Sequence, residues 1–187
     1  DLGGSKTLSK GNGLTEEEAT LHGSRVHKLL ELLPKYASED WQEHSLKMLK
    51  ANRLFDGSPK VTNAIEEALS VLNDPKFSYI FDENVLSEVP FSAHLSNLKN
   101  QKIYGIIDRL IIGSNSVQII DFKTNSTVPK TVDNIPLGIL RQMAAYRLAI
   151  KEIFPDKEVG CYILWTAIRK LDFIKKDLLD YNNLDSS

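Results

Sequence analysis

A chain of 187 residues, 42% hydrophobic and 26% charged, has the material for one globular domain with a sizeable core. Its formal net charge of −2 excludes a wholly basic nucleic-acid binder, though not a local basic groove. The single cysteine, Cys161, excludes an internal disulfide and any four-cysteine zinc or iron–sulfur site, and points to a reducing, cytoplasmic setting. No apolar run nears the ~18–20 residues that span a bilayer, so no membrane partner is expected.

Residues 1–14 are rich in Gly, Ser and Lys and read as a linker or disordered tail. Their GGSKT lacks the G-x-x-x-x-G-K-[ST] order and a preceding strand, so no ATP site is expected. Small polar residues at both ends and the lack of an initiator Met suggest a domain, residues 15–187, excised from a longer chain. Thr15-Glu16-Glu17-Glu18 is a capping box, which predicts a helix to about Leu33, before Pro34. Val26, Leu29, Leu30 and Leu33 make its apolar stripe, and His27 lies beside it. A lone helix histidine is ordinarily a partly exposed structural residue; it becomes a ligand candidate only if that helix packs near a metal-binding group. Further helices are expected over 39–54 and over 63–72, the second capped by Thr62. A short helical turn is expected over 76–81, and His44 is read as a surface residue. Residues 85–95 read as a strand carrying Glu88, with Pro90 marking an edge or bulge and His94 structural. Residues 96–102 read as a polar turn.

The richest stretch follows. Ile103–Ile112 and Val117–Lys123 are branched, apolar runs around Gly113-Ser114-Asn115-Ser116, the signature of a β-hairpin. Centring the turn between Ser114 and Asn115 sets Asp108 opposite Asp121 and Ile106 opposite Lys123. Opposed residues share a face with Cβ atoms roughly 4.5–5.5 Å apart, and alternation puts Asp121 and Lys123 on one face. Two carboxylates and an ammonium would meet among apolar neighbours. Adjacent buried carboxylates do not both stay ionised without compensation, and a hard divalent cation such as Mg²⁺ supplies it. The bland alternative is a set of solvated or ion-paired charges at strand ends.

Residues 125–136 read as a polar loop containing Lys130. A long helix is expected over 137–154, ended by Pro155, with Leu140, Ala144, Ala145 and Leu148 inward. Gln142 and Tyr146, four apart, share one of its faces, flanked by Arg141 and Arg147. Residues 159–166 read as a buried strand. The tail from Arg169, with Lys170, Lys175 and Lys176, reads as a solvated or phosphate-contacting face.

The expected order of elements, IIDR followed by DFKT, the Gly23-Ser24-Arg25-Val26-His27 helix and Gln142-x-x-x-Tyr146 together resemble the PD-(D/E)XK nuclease superfamily over roughly His22 to Thr166. HGSRVHKLLELLP and LRQMAAYR look most like the RecB-type exonuclease domain of AddA-type helicase–nuclease subunits. The fold this implies is an α/β restriction-endonuclease-like core, αβββαβ with a mixed sheet flanked by helices, plus a helical N-terminal region. The resemblance implies His27, Asp108, Asp121 and the Phe122 backbone carbonyl as ligands of Mg²⁺ or Mn²⁺, and Asp108, Asp121 and Lys123 as the catalytic set. Glu88 matches an acidic position whose direct ligation it leaves open. Gln142, Tyr146, Arg141 and Arg147 would lie along the DNA. The activity implied is exonucleolytic processing of double-strand-break ends, most simply of a single strand. The partners implied are DNA, a helicase domain of the same full-length chain and an AddB-like second subunit. Relatives with an iron–sulfur cluster use four cysteines, from which this chain departs. The rivals are a catalytically silent DNA-binding or protein-interaction scaffold of the same fold and an unrelated α/β domain that binds a protein partner.

Overall fold

The computed structural model describes residues 15–95 and 101–181, the side chains of 93–95, 101–103 and 181 aside. The expected linker, the His94 side chain and most of the expected 96–102 turn lie outside the described residues. Thr15 caps the first helix, α1 (Glu16–Leu32). Its hydroxyl accepts from the Glu18 N–H at 3.2 Å and the Glu18 carboxylate accepts from the Thr15 N–H at 3.1 Å. Both halves of the capping box are therefore made. Next come α2 (Trp41–Ala51) and α3 (Lys60–Leu72). The latter starts three residues before the expected Asn63, behind Pro59 and not Thr62, because the fixed φ of proline suits a helix start.

Three strands follow, β1 (Leu86–Leu95), β2 (Gln101–Ile112) and β3 (Ser116–Lys123), then α4 (Leu137–Ile153) and β4 (Glu158–Trp165). The tail then supplies a short strand, β5 (Lys170–Ile174), and a last helix, α5 (Lys176–Tyr181). In K-L-D-F-I the charges alternate with apolar residues, so the stretch pairs with β4 instead of forming the charged face expected there. The five strands lie in the order β1-β2-β3-β4-β5. Among the described strands, β3 and β4 alone run parallel, joined through α4.

Each face of the sheet carries its own core. Val117, Ile119, Cys161 and Ile163 point to α4, meeting Leu140, Met143, Ala144 and Ile150. Ile120, Phe122 and Leu164 point the other way, onto Val26, Leu29, Leu30 and Ile65 of α1 and α3. Among the described residues no helix is long and apolar enough to cross a membrane.

The hairpin register is the one its turn predicts, with Ile112 opposite Val117 and Arg109 opposite Ile120. One departure matters for the site. Ile107 and Leu110 both pack on the α4 side although three residues apart, so the alternation of β2 slips between them. On β1 the ladder likewise skips from Ser87–Arg109 to Val89–Ile107. Glu88 and Asp108 stand opposite each other in that gap, and Glu88 takes up the slip in the left-handed region at φ +51.

Candidate active site

The carboxylate of Asp108 fills the interruption in the sheet. Its Oδ2 accepts the backbone N–H of Phe122 at 2.6 Å, a strand-edge donor that the ladder no longer pairs. Its Oδ1 lies 3.1 Å from His27 Nδ1, while His27 Nε2 lies 3.1 Å from the Phe122 carbonyl oxygen. Two acceptors flank one imidazole, and the ring serves both at once only when protonated. Burial opposes the charge on His27, but the adjacent Asp108 carboxylate outweighs it and its pKa is raised. Burial works against the Asp108 anion too. Its contacts with His27 and the Phe122 N–H prevail, and its pKa is lowered.

Asp121 lies on the α4 side of the same spot. Its Oδ2 is 2.6 Å from Lys123 Nζ, yet outside hydrogen-bonding geometry, so a buried carboxylate oxygen is left without a hydrogen-bond partner. Burial, with the nearby Asp108 charge, pushes the Asp121 pKa up against the pull of Lys123. Lys123 Nζ donates to Gln142 Oε1 at 3.0 Å, Gln142 Nε2 donates to the Tyr146 hydroxyl at 2.7 Å, and that hydroxyl donates to the Ile106 carbonyl at 2.8 Å. Each donor meets an acceptor, which fixes the orientation of the amide. Burial foremost raises the Tyr146 pKa, so it stays a phenol.

Glu88 completes the cluster. One ligand atom each from His27, Glu88 and Asp108 lies within 4.8 Å of the others. Burial, Asp108 and Glu31 push the Glu88 pKa up. The hairpin register set Asp108 opposite Asp121, and the charge of Asp108 does act on Asp121. The slip in β1 and β2 adds Glu88 and His27 to Asp108 on the α1 side, while Asp121 also pairs with Lys123. An imidazole, carboxylates and a backbone carbonyl form a donor set for a hard divalent cation, and the Asp121 oxygen that pairs with Lys123 is a further donor beside it. The residues fit such an ion.

Of the residues expected along the DNA, one is closed off and the others stand at or near the surface. Tyr146 is 3% exposed, its ring edge-packed on Phe91 at 5.2 Å, so it offers no surface to a base. Gln142 supports Lys123, as above. Arg147 pairs with Asp180 of α5 at 3.2 Å. Arg141 is half-buried on the same helix.

A second polar group, which sequence reasoning missed, lies at the ends of β3 and β4. His22 Nε2 is 2.8 Å from Glu67 Oε2, and the buried Thr166 hydroxyl lies between Glu67 Oε1 and the Lys123 carbonyl. It ties α1 and α3 to the ends of β3 and β4. Its members are 45 and 99 residues apart in the chain, beyond any local pattern.

The architecture and these motifs agree with a direct comparison of families. The family model of the PD-(D/E)XK nuclease superfamily matches residues 7–174, and the chain belongs to that superfamily. Ten solved chains also match. One, described as the crystal structure of SSO0001, is similar at 14% identity over 87% of this chain and 83% of that one, with a TM-score of 0.40. No curated protein matches.

Proposed function

We propose that the chain is a metal-dependent DNA nuclease, hydrolysing phosphodiester bonds at the His27–Glu88–Asp108 cluster and its neighbour Asp121–Lys123. The observation that carries this reading is the convergence of those donors on one point beside a buried lysine. His27, Glu88, Asp108, Asp121 and the Phe122 carbonyl would hold Mg²⁺ or Mn²⁺, which when bound supplies Lewis acidity and a water of lowered pKa. Lys123, held between Asp121 and Gln142, orients the attacking water or receives charge from a phosphate oxygen. Asp108 and His27 brace each other and the end of β3. Phe122 and Ile107, both buried and next in sequence to Asp121, Lys123 and Asp108, limit the access of bulk water to these charges.

The finer reading is an exonuclease acting on a single strand, within a RecB/AddA-like helicase–nuclease that processes double-strand breaks. It rests on the resemblance of HGSRVHKLLELLP and LRQMAAYR, as do the helicase domain and AddB-like subunit it would work with, while a cytoplasmic setting rests on the single cysteine. Against a silent scaffold of the same fold stands the complete set of Asp108, Asp121 and Lys123. The test is incubation of an end-labelled DNA strand with the chain and Mg²⁺ or Mn²⁺, beside Asp121→Ala. Metal-dependent loss of the strand that the variant abolishes supports the nuclease, and mononucleotide products support the exonuclease. Equal degradation by the variant would place the activity elsewhere.

A further inference from the structure

Gln142 and Tyr146 hold the site from behind, which leaves open what meets the substrate in front. Beyond the slip at Glu88 and Asp108, β1 and β2 continue as a two-stranded arm past the end of the β2–β3 ladder. One side of the arm is filled. Val89, Phe91 and Ile107 pack toward α4, and Phe91 lies over Gly105, where an added Cβ would fall 2.5 Å from its ring and 3.0 Å from that of Tyr146. The Tyr146 hydroxyl, already holding Gln142, also takes the Ile106 carbonyl. A single side chain thus braces both the arm and the amide that positions Lys123.

The other side of the arm is exposed to solvent at its described positions. Alternation turns Ile106 and Tyr104 away from α4, to the side of the sheet on which α1 carries His27. They are 52% and 58% exposed. Their cross-strand partners are Pro90 and Ser92, both exposed, so the four side chains form one uncharged face. Ile106 is two residues from Asp108, and Pro90 two from Glu88, so this face begins where the carboxylate cluster ends. An aromatic and an aliphatic side chain on a braced ribbon suit flat, apolar partners. These four side chains carry no charge with which to hold a phosphate. We infer that this face is a stacking platform for the bases of a single nucleic-acid strand whose backbone is led to the cluster, with Tyr104 as the stacking residue and Ile106 as the apolar floor next to the cut. A duplex keeps its base faces covered and cannot use it. The inference rests on the nuclease reading of the site.

The experiment reads the fluorescence anisotropy of a labelled oligothymidylate, and of the same strand in a duplex, against Tyr104→Ala, Tyr104→Phe and Ile106→Ser. All are made in an Asp121→Asn background that leaves the strand uncut, with Mn²⁺ present. Tyr104→Ala should weaken single-strand binding at least about five-fold, the low end for one lost base stack. Tyr104→Phe, which keeps a ring, should retain it, and Ile106→Ser should fall between them. The duplex should bind more weakly and without regard to these substitutions. Undiminished binding by Tyr104→Ala, equal loss with Tyr104→Phe, or no binding of the strand by the Asp121→Asn chain overturns the platform. So does a concentration-dependent self-association that Tyr104→Ala abolishes, since a second copy would then occupy the face. Hydrolysis of bis(p-nitrophenyl) phosphate by the unmodified chain with Mn²⁺ separates the two readings. If that small ester is cleaved and the platform variants bind normally, only the platform fails. If it is not cleaved, the reading of the site fails first.

Discussion

Lys123 is 6% exposed and makes its contacts with Asp121 and Gln142, a setting that holds one ammonium at one point. A side chain used for chemistry and not for binding the ion should be separable from the ligands. Lys123→Met is expected to slow strand cleavage about 10²–10⁴-fold under single-turnover conditions while Mn²⁺ still binds. Unchanged cleavage would remove the lysine from the mechanism. Tyr146→Phe tests the brace behind it. The loss of one hydroxyl strands the Ile106 carbonyl and the Gln142 amide, at a cost of about 1–3 kcal/mol in denaturant unfolding and with slower cleavage. Cys161 offers a test of burial alone. It is 1% exposed, and burial pushes its thiol from 9.0 up to about 12. A folded-state pKa above the unfolded one means the buried thiol adds stability that is complete below the unfolded value. That stability is lost as pH climbs from there toward the folded value of about 12. Near pH ~8 the native chain should therefore resist iodoacetamide and react once unfolded. Rapid labelling of the native protein would show the strand β4 to be loosely packed.

At the scale of elements, the slip in β1 and β2 is the feature on which the site turns. Glu88 sits at φ +51 without being glycine, a conformation that costs of order 1–3 kcal/mol at functional sites. Glu88→Gly relieves that strain and removes a carboxylate. The expected result is a raised melting temperature together with weaker Mn²⁺ binding. A lower melting temperature would mean that the Glu88 side chain stabilises the fold more than its backbone strains it. The same slip shows what the sequence could and could not reveal. The hairpin was legible because its turn is short and its strands are apolar, and the register then followed from where the turn is centred. The capping box of α1 and the inward face of α4 were legible for the same reason, since each is a local pattern. The meeting of Asp108 with His27 and Glu88 was not, because it depends on a left-handed residue in the neighbouring strand. Strand β5 was hidden by Lys170 and by Lys175 and Lys176 just after it, which read as a solvated tail until β4 is there to pair with. The burial of Tyr146 was equally hidden. Four-residue spacing put it on one face with Gln142, but only Phe91 and Gly105, far off in the chain, show that this face looks inward.

At the scale of the whole molecule, the sheet separates two cores, and the site lies where they meet at the end of β3. His27 comes from one side, on α1, and Gln142 from the other, on α4. Leu29, fully buried two residues beyond His27, is expected to cost about 2–5 kcal/mol when changed to Ala. It should weaken ion binding with it, because α1 then no longer holds its imidazole against Asp108. An ion that bridges α1 and the sheet binds the folded state alone, so it should also raise the melting temperature as its concentration passes the dissociation constant. The most direct measurement is calorimetric titration of the chain with Mn²⁺, beside Asp108→Asn. The site as described here predicts saturable binding by the unmodified chain and its loss in the variant. No binding by the unmodified chain, or equal binding by both, would contradict a metal-assisted centre at Asp108.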